Sequence, residues 1–486
     1  MSRTRRVLVP ALTTALGLAM TVGLTTPAGA AGGPVGNTFT IRSGVTLSGY
    51  DAATTKDGTT YVGWIGDDAS NPSLRQLHLC VLRLSSRSCV GGVQTATALG
   101  SSSAQDLKVV VTGGQVELVW IAQVDPSSGE FSGVFGTNAV SNGTLGTSVA
   151  VPGAPTLGSL TSAIAHRGGG VSLAAVGESG ALDQRAYYYP TVSATPTTFK
   201  RPYFVGNAQL ADNGKQTVLT TTQYGSLSGK VAVASKPSNG TGWTGFKNVA
   251  GSYTRGNIEQ VITAGGRIRM VGVSAKAIYT PDSWSWNGTS FGRPKPTGDH
   301  NDISSVDTAT DGSGRLVTVD TEVSGLMVSN FGKGSHPSRF LFKVKQTFAG
   351  GPAQISTSAS GRGFLIWGVE KQGVTGQILR AQAIKLPALT RTVHKRGRAG
   401  TVSLTGPTTC LPMTTVHVGV KGRPAHGWKV KSTSLHLGSK KQGGSLDGAR
   451  LAGNHRYTLR GTVVFTRSGA HSGVTASLTF KTCGRP

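Results

Sequence analysis

The chain has 486 residues, among them 70 glycines and four cysteines, and carries a formal net charge of +27. Past the first thirty residues no apolar run approaches the roughly 20 residues that cross a bilayer as a helix, which excludes a helical membrane protein. No Cys-x-x-Cys or paired-histidine spacing occurs, which excludes the usual structural zinc sites, and no motif calls for a metal or cofactor.

Residues 1–30 read as an export signal. Arg3, Arg5 and Arg6 precede the apolar stretch from Val7 to Leu24, and Ala28-Gly29-Ala30 offers a small-residue cleavage site. Thr4-Arg5-Arg6-Val7-Leu8-Val9 resembles a twin-arginine signal without its usual Phe and Lys, so ordinary secretion is the alternative. The mature chain is expected outside the cell, free or associated with the wall. There, cysteines pair, and Cys80–Cys89 and Cys410–Cys483 are the expected bridges, four free thiols being the alternative.

From residue 37 onward a glycine-rich turn followed by an apolar run recurs. The segments are Lys56–Ile65, Thr112–Ile121, His166–Val176, Asp212–Thr221, Ala264–Val273, Asp311–Val319 and Ser360–Val369. Their marker glycines, Gly58, Gly114, Gly169, Gly214, Gly266, Gly314 and Gly361, are 56, 55, 45, 52, 48 and 47 residues apart. That period is the period of a β-propeller blade, a four-stranded antiparallel meander. In the first repeat the strands fall at Asp51–Lys56, Thr59–Gly66, Arg75–Leu84 and Ser88–Leu99. Second strands such as Phe364-Leu365-Ile366-Trp367 are apolar on both faces, as expected of a strand covered on both sides. Asn142-Gly143, Asn239-Gly240 and Asn287-Gly288 read as type I′ hairpin turns ahead of the fourth strands. The seventh repeat supplies three strands before Pro387, and Thr38–Leu47 offers the fourth, joining the first segment to the last. The expected fold is all-β: a seven-bladed β-propeller over residues 37–388, with six or eight blades as alternatives, followed by a small Ig-like β-sandwich.

Residues 391–486 break the period and hold 16 Lys and Arg against a single acid, Asp447. Runs at Thr401–Thr405, Thr414–Val420, Trp428–Leu437, Arg456–Arg467 and Gly473–Cys483 suggest the sandwich. The Cys410-to-Cys483 frame and the segment Leu451–Leu459 resemble Ig-like C-terminal modules of secreted proteins from high-GC Gram-positive bacteria. A field of one sign on so short a segment favours polyanions, and Lys421, Arg423, Lys440 and Lys441 are the candidate contacts. A solvated basic surface without a partner is the alternative.

Within the repeats, turns between first and second strands are basic (Lys56, Arg167, Lys215, Arg267, Arg315, Arg362), while many acids fall at the opposite ends. Asp67, Asp68 and Arg75, and the run Asp299-His300-Asn301-Asp302, are the candidate ligand-binding residues, because known propellers bind ligands on that face. Paired carboxylates there would suit glycoside hydrolysis. Asp299, Asn301 and Asp302 offer the oxygen ligands Ca²⁺ takes, but without a full loop motif, so no metal is expected. The repeats distantly resemble sialidase-like propellers, yet the Asp box Ser-x-Asp-x-Gly-x-Thr-Trp is absent. Its nearest relatives are Asp57-Gly58-Thr59 and Ser305-Val306-Asp307, and that family's arginine triad and Tyr–Glu pair have no counterparts. Trp243, Trp284 and Trp286 are expected to pack between strands rather than stack on sugars. The function these features favour is a secreted, monomeric, non-catalytic binding protein. Its propeller would recognise an extracellular glycan or another envelope protein, and its basic module an anionic cell-wall polymer. The alternative is a glycoside hydrolase or polysaccharide lyase acting on extracellular polysaccharide.

Overall fold

The structure, a computed structural model, describes residues 33–482 apart from 69–70, 98–104, 125–131, 167–168, 179–183, 201–203, 225–229, 251–259, 265–266, 275–279, 297–304, 311–315, 323–324, 331–338, 346–352, 359–360, 371–375, 387–389, 408–409, 412–414, 448–449 and 453–454. The expected signal segment, the loop Asp299–Asp302, and Cys483 lie outside the described residues.

The described chain is all-β and its sheets are overwhelmingly antiparallel. Between residues 33 and 385 the described residues form seven sheets, taken in the order of their first strands. Those first strands are Leu47–Thr54, Gln105–Thr112, Thr156–Ala165, Phe204–Asp212, Gln260–Ala264, Ser305–Thr310 and Gln354–Thr357. Each is followed by a second strand bonded beside it, as Leu47–Thr54 is by Thr60–Asp68, then Asn71–Leu82 and Gln94–Thr97. The second strands are buried along nearly their whole length; Arg362–Glu370 is exposed only at its two ends. Their apolar side chains point alternately into layers above and below, so both faces must be apolar.

Those layers lie between successive sheets. Leu77 and Leu79 of the first sheet pack with Leu118 and Trp120 of the second. Val119 and Phe135 of the second pack with Leu173 and Tyr189 of the third. Val62 and Trp64 of the first pack with Phe364 and Ile366 of the seventh. Fully burying a side chain of this size stabilises a fold by roughly 1.5–3 kcal/mol, so these layers dominate the cohesion. Some fit leaves no room for a methyl group: a Cβ on Gly136 would collide with the indole of Trp120.

The first strands lie against one another in chain order, and Gln354–Thr357 of the seventh sheet lies against Leu47–Thr54 of the first. The seventh sheet takes its outer strand from the beginning of the chain: Phe39–Val45 pairs with Gln377–Lys385, Phe39 opposite Ala381. This is the pairing expected for Thr38–Leu47.

Two local expectations need correction. Of the three Asn-Gly dipeptides read as hairpin turns, only Asn142-Gly143 has both residues at positive φ, at 51° and 79°, between Ser132–Ser141 and Thr144–Leu145. Asn239 and Gly240 do not; there Gly240 N–H bonds Pro237 O at 2.9 Å. At Asn287 the side-chain oxygen accepts from the N–H groups of Thr289 and Ser290, both at 2.9 Å, and only Gly288 has a positive φ. In both places the outer strand begins well downstream, at Lys247 and Lys295, so no tight hairpin is required. The Cys80–Cys89 disulfide forms, with Cα atoms 5.1 Å apart, but not across two strands. Cys89 sits in the connection after Asn71–Leu82, which the bridge clips back onto that strand. Closing so short a loop contributes roughly 2–3 kcal/mol in the chain-entropy account.

Residues 390–482 form three further sheets. Thr390–Gly397, Gly400–Pro407 and Gly419–Pro424 make a three-stranded sheet with Gly400–Pro407 in the middle. A five-stranded sheet runs in the order Cys410–Leu411, Ala470–Thr482, Arg456–Arg467, Lys429–Leu437 and Lys440–Lys441, and Thr415–His417 pairs with Ser445–Asp447. Their apolar core, around Val402, Leu404, Leu459, Phe465 and Leu478, draws on this segment alone. The strand Thr390–Gly397 was not anticipated: its charged run His394-Lys395-Arg396 hides the alternation that places Val393 inward.

Candidate functional site

Where the first strands meet, one position repeats. Three residues before the end of the strand stand Asp51, Ser162, Gln209, Asp307 and Gln354, with Val109 and Val261 in the other two sheets. These polar groups reach the neighbouring sheet's backbone. Val109 N–H donates to Asp51 Oδ2 at 2.7 Å, Ile355 N–H to Asp307 Oδ2 at 2.7 Å, and Leu210 N–H to Ser162 Oγ at 3.1 Å. Gln354 Nε2 donates to Tyr50 O at 2.7 Å and Gln209 Nε2 to Thr161 O at 3.0 Å. Adjacent strands from different sheets do not share a ladder, so side chains satisfy backbone groups a ladder would otherwise satisfy. Asp106 does this for the third sheet from a bulge, at a φ of 42°, where it meets Ser159 and the Leu160 N–H.

The cluster is electrostatically tense. Asp51 and Asp307 keep some accessible surface although protein surrounds them. Burial, reinforced by the charge of Asp51, pushes Asp307 up to about 7, against the Ile355 N–H and Lys108, which favour the ionised form. Burial also raises Asp51 and Asp106, and Lys108 opposes the rise at both. Tyr50 is raised by burial with Asp307 adding to it, while the Gly368 N–H donates to its hydroxyl at 3.2 Å. Two carboxyls whose proton affinities are both raised by burial, Asp307 to near neutrality, offer groups that acid–base chemistry can use. The same oxygens hold neighbouring sheets together, which is a sufficient structural reason for them.

Sequence reading passed over Asp51 and treated Asp307 only as part of a failed Asp box. The signal was present as a repeated Asp-x-Ala-Thr, at Asp51–Thr54 and Asp307–Thr310. The anticipated acids lie elsewhere. Asp67 and Arg75 are cross-strand partners with 3.9 Å between Arg75 Nε and Asp67 Oδ1. They do not lie in a long loop, because both strands run on to Asp68 and Asn71; the side chain of Asp68 lies outside the described residues, as does the whole run Asp299, His300, Asn301 and Asp302. Asp57 holds its own turn, accepting from Thr59 N–H at 3.2 Å and Thr59 Oγ1 at 3.0 Å. Of the basic turns, Lys56 and Lys215 lie between first and second strands, Arg267 and Arg362 open second strands, and Arg167 and Arg315 are outside the described residues. The tryptophans pack. Trp243 meets Tyr188 edge-on at 5.0 Å, Trp284 is fully buried, and Trp286 donates to Gln216 Oε1 at 2.8 Å. No group of three His, Cys, Asp or Glu side chains among the described residues could hold a metal ion.

The basic candidates divide between two sheets. Lys421 and Arg423 stand on Gly419–Pro424 of the three-stranded sheet; Lys440 and Lys441 form the short edge strand of the five-stranded one. All four are exposed. The outer face of the five-stranded sheet is a field of hydroxyls, with Thr462 Oγ1 2.8 Å from Thr475 Oγ1, and cations gather towards its ends.

No family model matches the chain, and no curated protein matches it. Solved structures with a likeness to it include the polysaccharide lyase Uly1, at 11% identity over 73% of this chain and 100% of that one, with a TM-score of 0.46. A PL25 ulvan lyase bound to -[GlcA(1-4)Rha3S]- matches at 13% identity over 72% of this chain and 94% of that one, with a TM-score of 0.46. An acylaminoacyl peptidase of Pyrococcus horikoshii matches at 10% identity over 75% of this chain and 58% of that one, with a TM-score of 0.42. Likenesses at this level say nothing of activity.

Proposed function

We propose that this is a secreted binding protein. Residues 37–388 form a closed seven-bladed propeller, and residues 391–486 form a separate basic module that holds the protein to an anionic extracellular polymer. Closure is supported by the succession of first strands, by the Gln354–Tyr50 bond between seventh and first sheets, and by the strand Phe39–Val45 completing the seventh. The separate module is supported by an apolar core drawn from one segment. The observation that carries the function is the charge: 16 Lys and Arg against Asp447 in residues 391–486. Exported chains meet polyanions in the cell wall, and a one-sign field concentrates them. The propeller itself would recognise an extracellular glycan or envelope protein, through Asp67, Asp68, Arg75 and the run Asp299, His300, Asn301 and Asp302.

Retention of the full chain and of a chain ending at Leu386 on isolated cell walls tests this. The full chain should be retained at low salt and released as salt rises, since exposed charges are screened over about 8 Å at physiological ionic strength. Equal retention of both chains at every salt concentration would remove the anchoring role.

The Asp51–Asp307 pair favours a second reading, cleavage of an extracellular polysaccharide. Its mark would be new reducing ends or unsaturated products from acidic polysaccharides, lost in Asp307→Asn with the fold intact.

A further inference from the structure

The two sheets of residues 390–482 differ in how they display charge. In the three-stranded sheet, register places Arg396, Thr401 and Arg423 in one row across the strands. The next row on the same face is His394, Ser403 and Lys421, and the one after it Thr392, Thr405 and Gly419. Leu404 and Val402 point the other way, into the core, so all three rows belong to the outer face. Arg396, Arg423, His394 and Lys421 are exposed in the full chain, while Thr401, Ser403 and Thr405 between them are half-buried. The face is therefore a trough. Its floor is the hydroxyls of the middle strand, and its walls are basic side chains from the strands on either side. Two hydroxyls are already oriented by their neighbours: Ser403 Oγ lies 2.9 Å from His394 Nδ1, and Thr405 Oγ1 lies 2.8 Å from Thr392 Oγ1. No acid of residues 390–424 opposes this charge.

Spacing narrows the ligand. Successive rows on one face are two residues apart, about 7 Å along the strand, and opposite walls are two strand spacings apart, about 10 Å. A chain lying along Gly400–Pro407 would meet two successive rows of basic side chains, Arg396 with Arg423 and His394 with Lys421, about 7 Å apart. That interval matches the reach of one repeat of a phosphodiester polymer, which carries a charge on every repeat. A glycan with one acid per disaccharide places its charges further apart. Arg396 and Arg423 offer the planar forks that bind tetrahedral oxyanions through two N–H groups, and the floor hydroxyls offer further donors.

We propose that the outer face of this sheet is the binding site for a linear phosphodiester polymer, held along Gly400–Pro407 between Arg396 and His394 on one side and Arg423 and Lys421 on the other. The site rests on the reading of residues 391–486 as an anionic-polymer module and assigns it one face and one ligand class.

The test uses the full chain and a synthetic poly(glycerol phosphate) as probe, with affinity measured over a series of salt concentrations. One variant carries Arg396→Ser, Lys421→Ser and Arg423→Ser. A second carries Arg456→Ser, Arg460→Ser and Lys481→Ser, removing the same charge from exposed positions of the other sheet. The first should lose at least tenfold in affinity, and the slope of log affinity against log salt should fall by about two to three, as each lost phosphate contact releases fewer counterions. The second should lose less than threefold. Equal losses in both variants would overturn the face while leaving the basic-module reading intact. No binding of either poly(glycerol phosphate) or a sulfated glycan by the unmodified chain would overturn that reading itself. Tighter binding of a sulfated glycan than of poly(glycerol phosphate), at equal charge, would overturn the ligand class. Circular dichroism of each variant confirms that the sheets remain.

Discussion

Asp307 shows how one residue can serve a fold and strain it together. Its Oδ2 accepts the Ile355 N–H and ties the sixth sheet to the seventh, yet burial and Asp51 raise it from an ordinary 3.8 to about 7. A carboxyl raised on folding favours the folded chain while it is protonated. Its contribution is fully present below about pH 4, where folded and unfolded chains both hold the proton, and is lost as pH rises towards 7. Asp307→Asn keeps an oxygen that can accept from Ile355 and removes the charge. The variant should therefore melt above the unmodified protein at pH 8, the gap closing as pH falls to 4. Parallel thermal melts across that range check it. A gap that does not change with pH would mean Asp307 ionises freely. Asp57 is the contrasting case: hydrogen bonds from Thr55 and Thr59 in an exposed turn hold it below the usual carboxylate range.

At the scale of elements, the strand Phe39–Val45 matters most for its length. Gln377–Lys385 would otherwise present an unpaired edge, and such edges recruit other chains. The strand also brings Ile41 and Phe39 to the layer between first and seventh sheets, with Phe39 edge-on to Phe364 at 6.4 Å. A chain starting at Val45 should lose several kcal/mol, by loss of the buried Ile41, the half-buried Phe39 and a ladder, and should aggregate at concentrations where the longer chain is monomeric. Light scattering and thermal melts of the two chains decide the matter; identical behaviour would mean the strand is only an accessory. The period of 45–56 residues and the doubly apolar second strands were legible in the sequence because each repeat buries the same strand between two layers. The short outer strands were not, since strands as brief as Lys247–Asn248 have no pattern to read.

For the whole molecule, separate apolar cores imply separate cooperative units. The layers among residues 39–386 and the core of residues 399–480 share no residue. Calorimetry of the full chain should therefore resolve two transitions, one of which vanishes when the chain ends at Leu386. A single transition in which both parts melt together would refute independent units. Cys410 stands beside Lys481 in a parallel pair, two residues short of Cys483. Peptide mapping without reduction should recover Cys410–Cys483 beside Cys80–Cys89, and reducing agent should lower the smaller unit's transition.

The sequence by itself determined the repeat, the all-β class, the Cys80–Cys89 bridge and the concentration of charge in residues 391–486, because each is local or periodic. Which residues face each other across different sheets was decided only by the tertiary structure. Asp51 meets Val109 and Asp307 meets Ile355 across separations of 58 and 48 residues, and these carboxyls lie within each other's field only because the first sheet lies beside the seventh. The pairing of His394 and Arg396 with Lys421 and Arg423 around Ser403 and Thr401 likewise needed the register of three strands. A one-residue slip in either outer strand would have turned its basic side chains into the core.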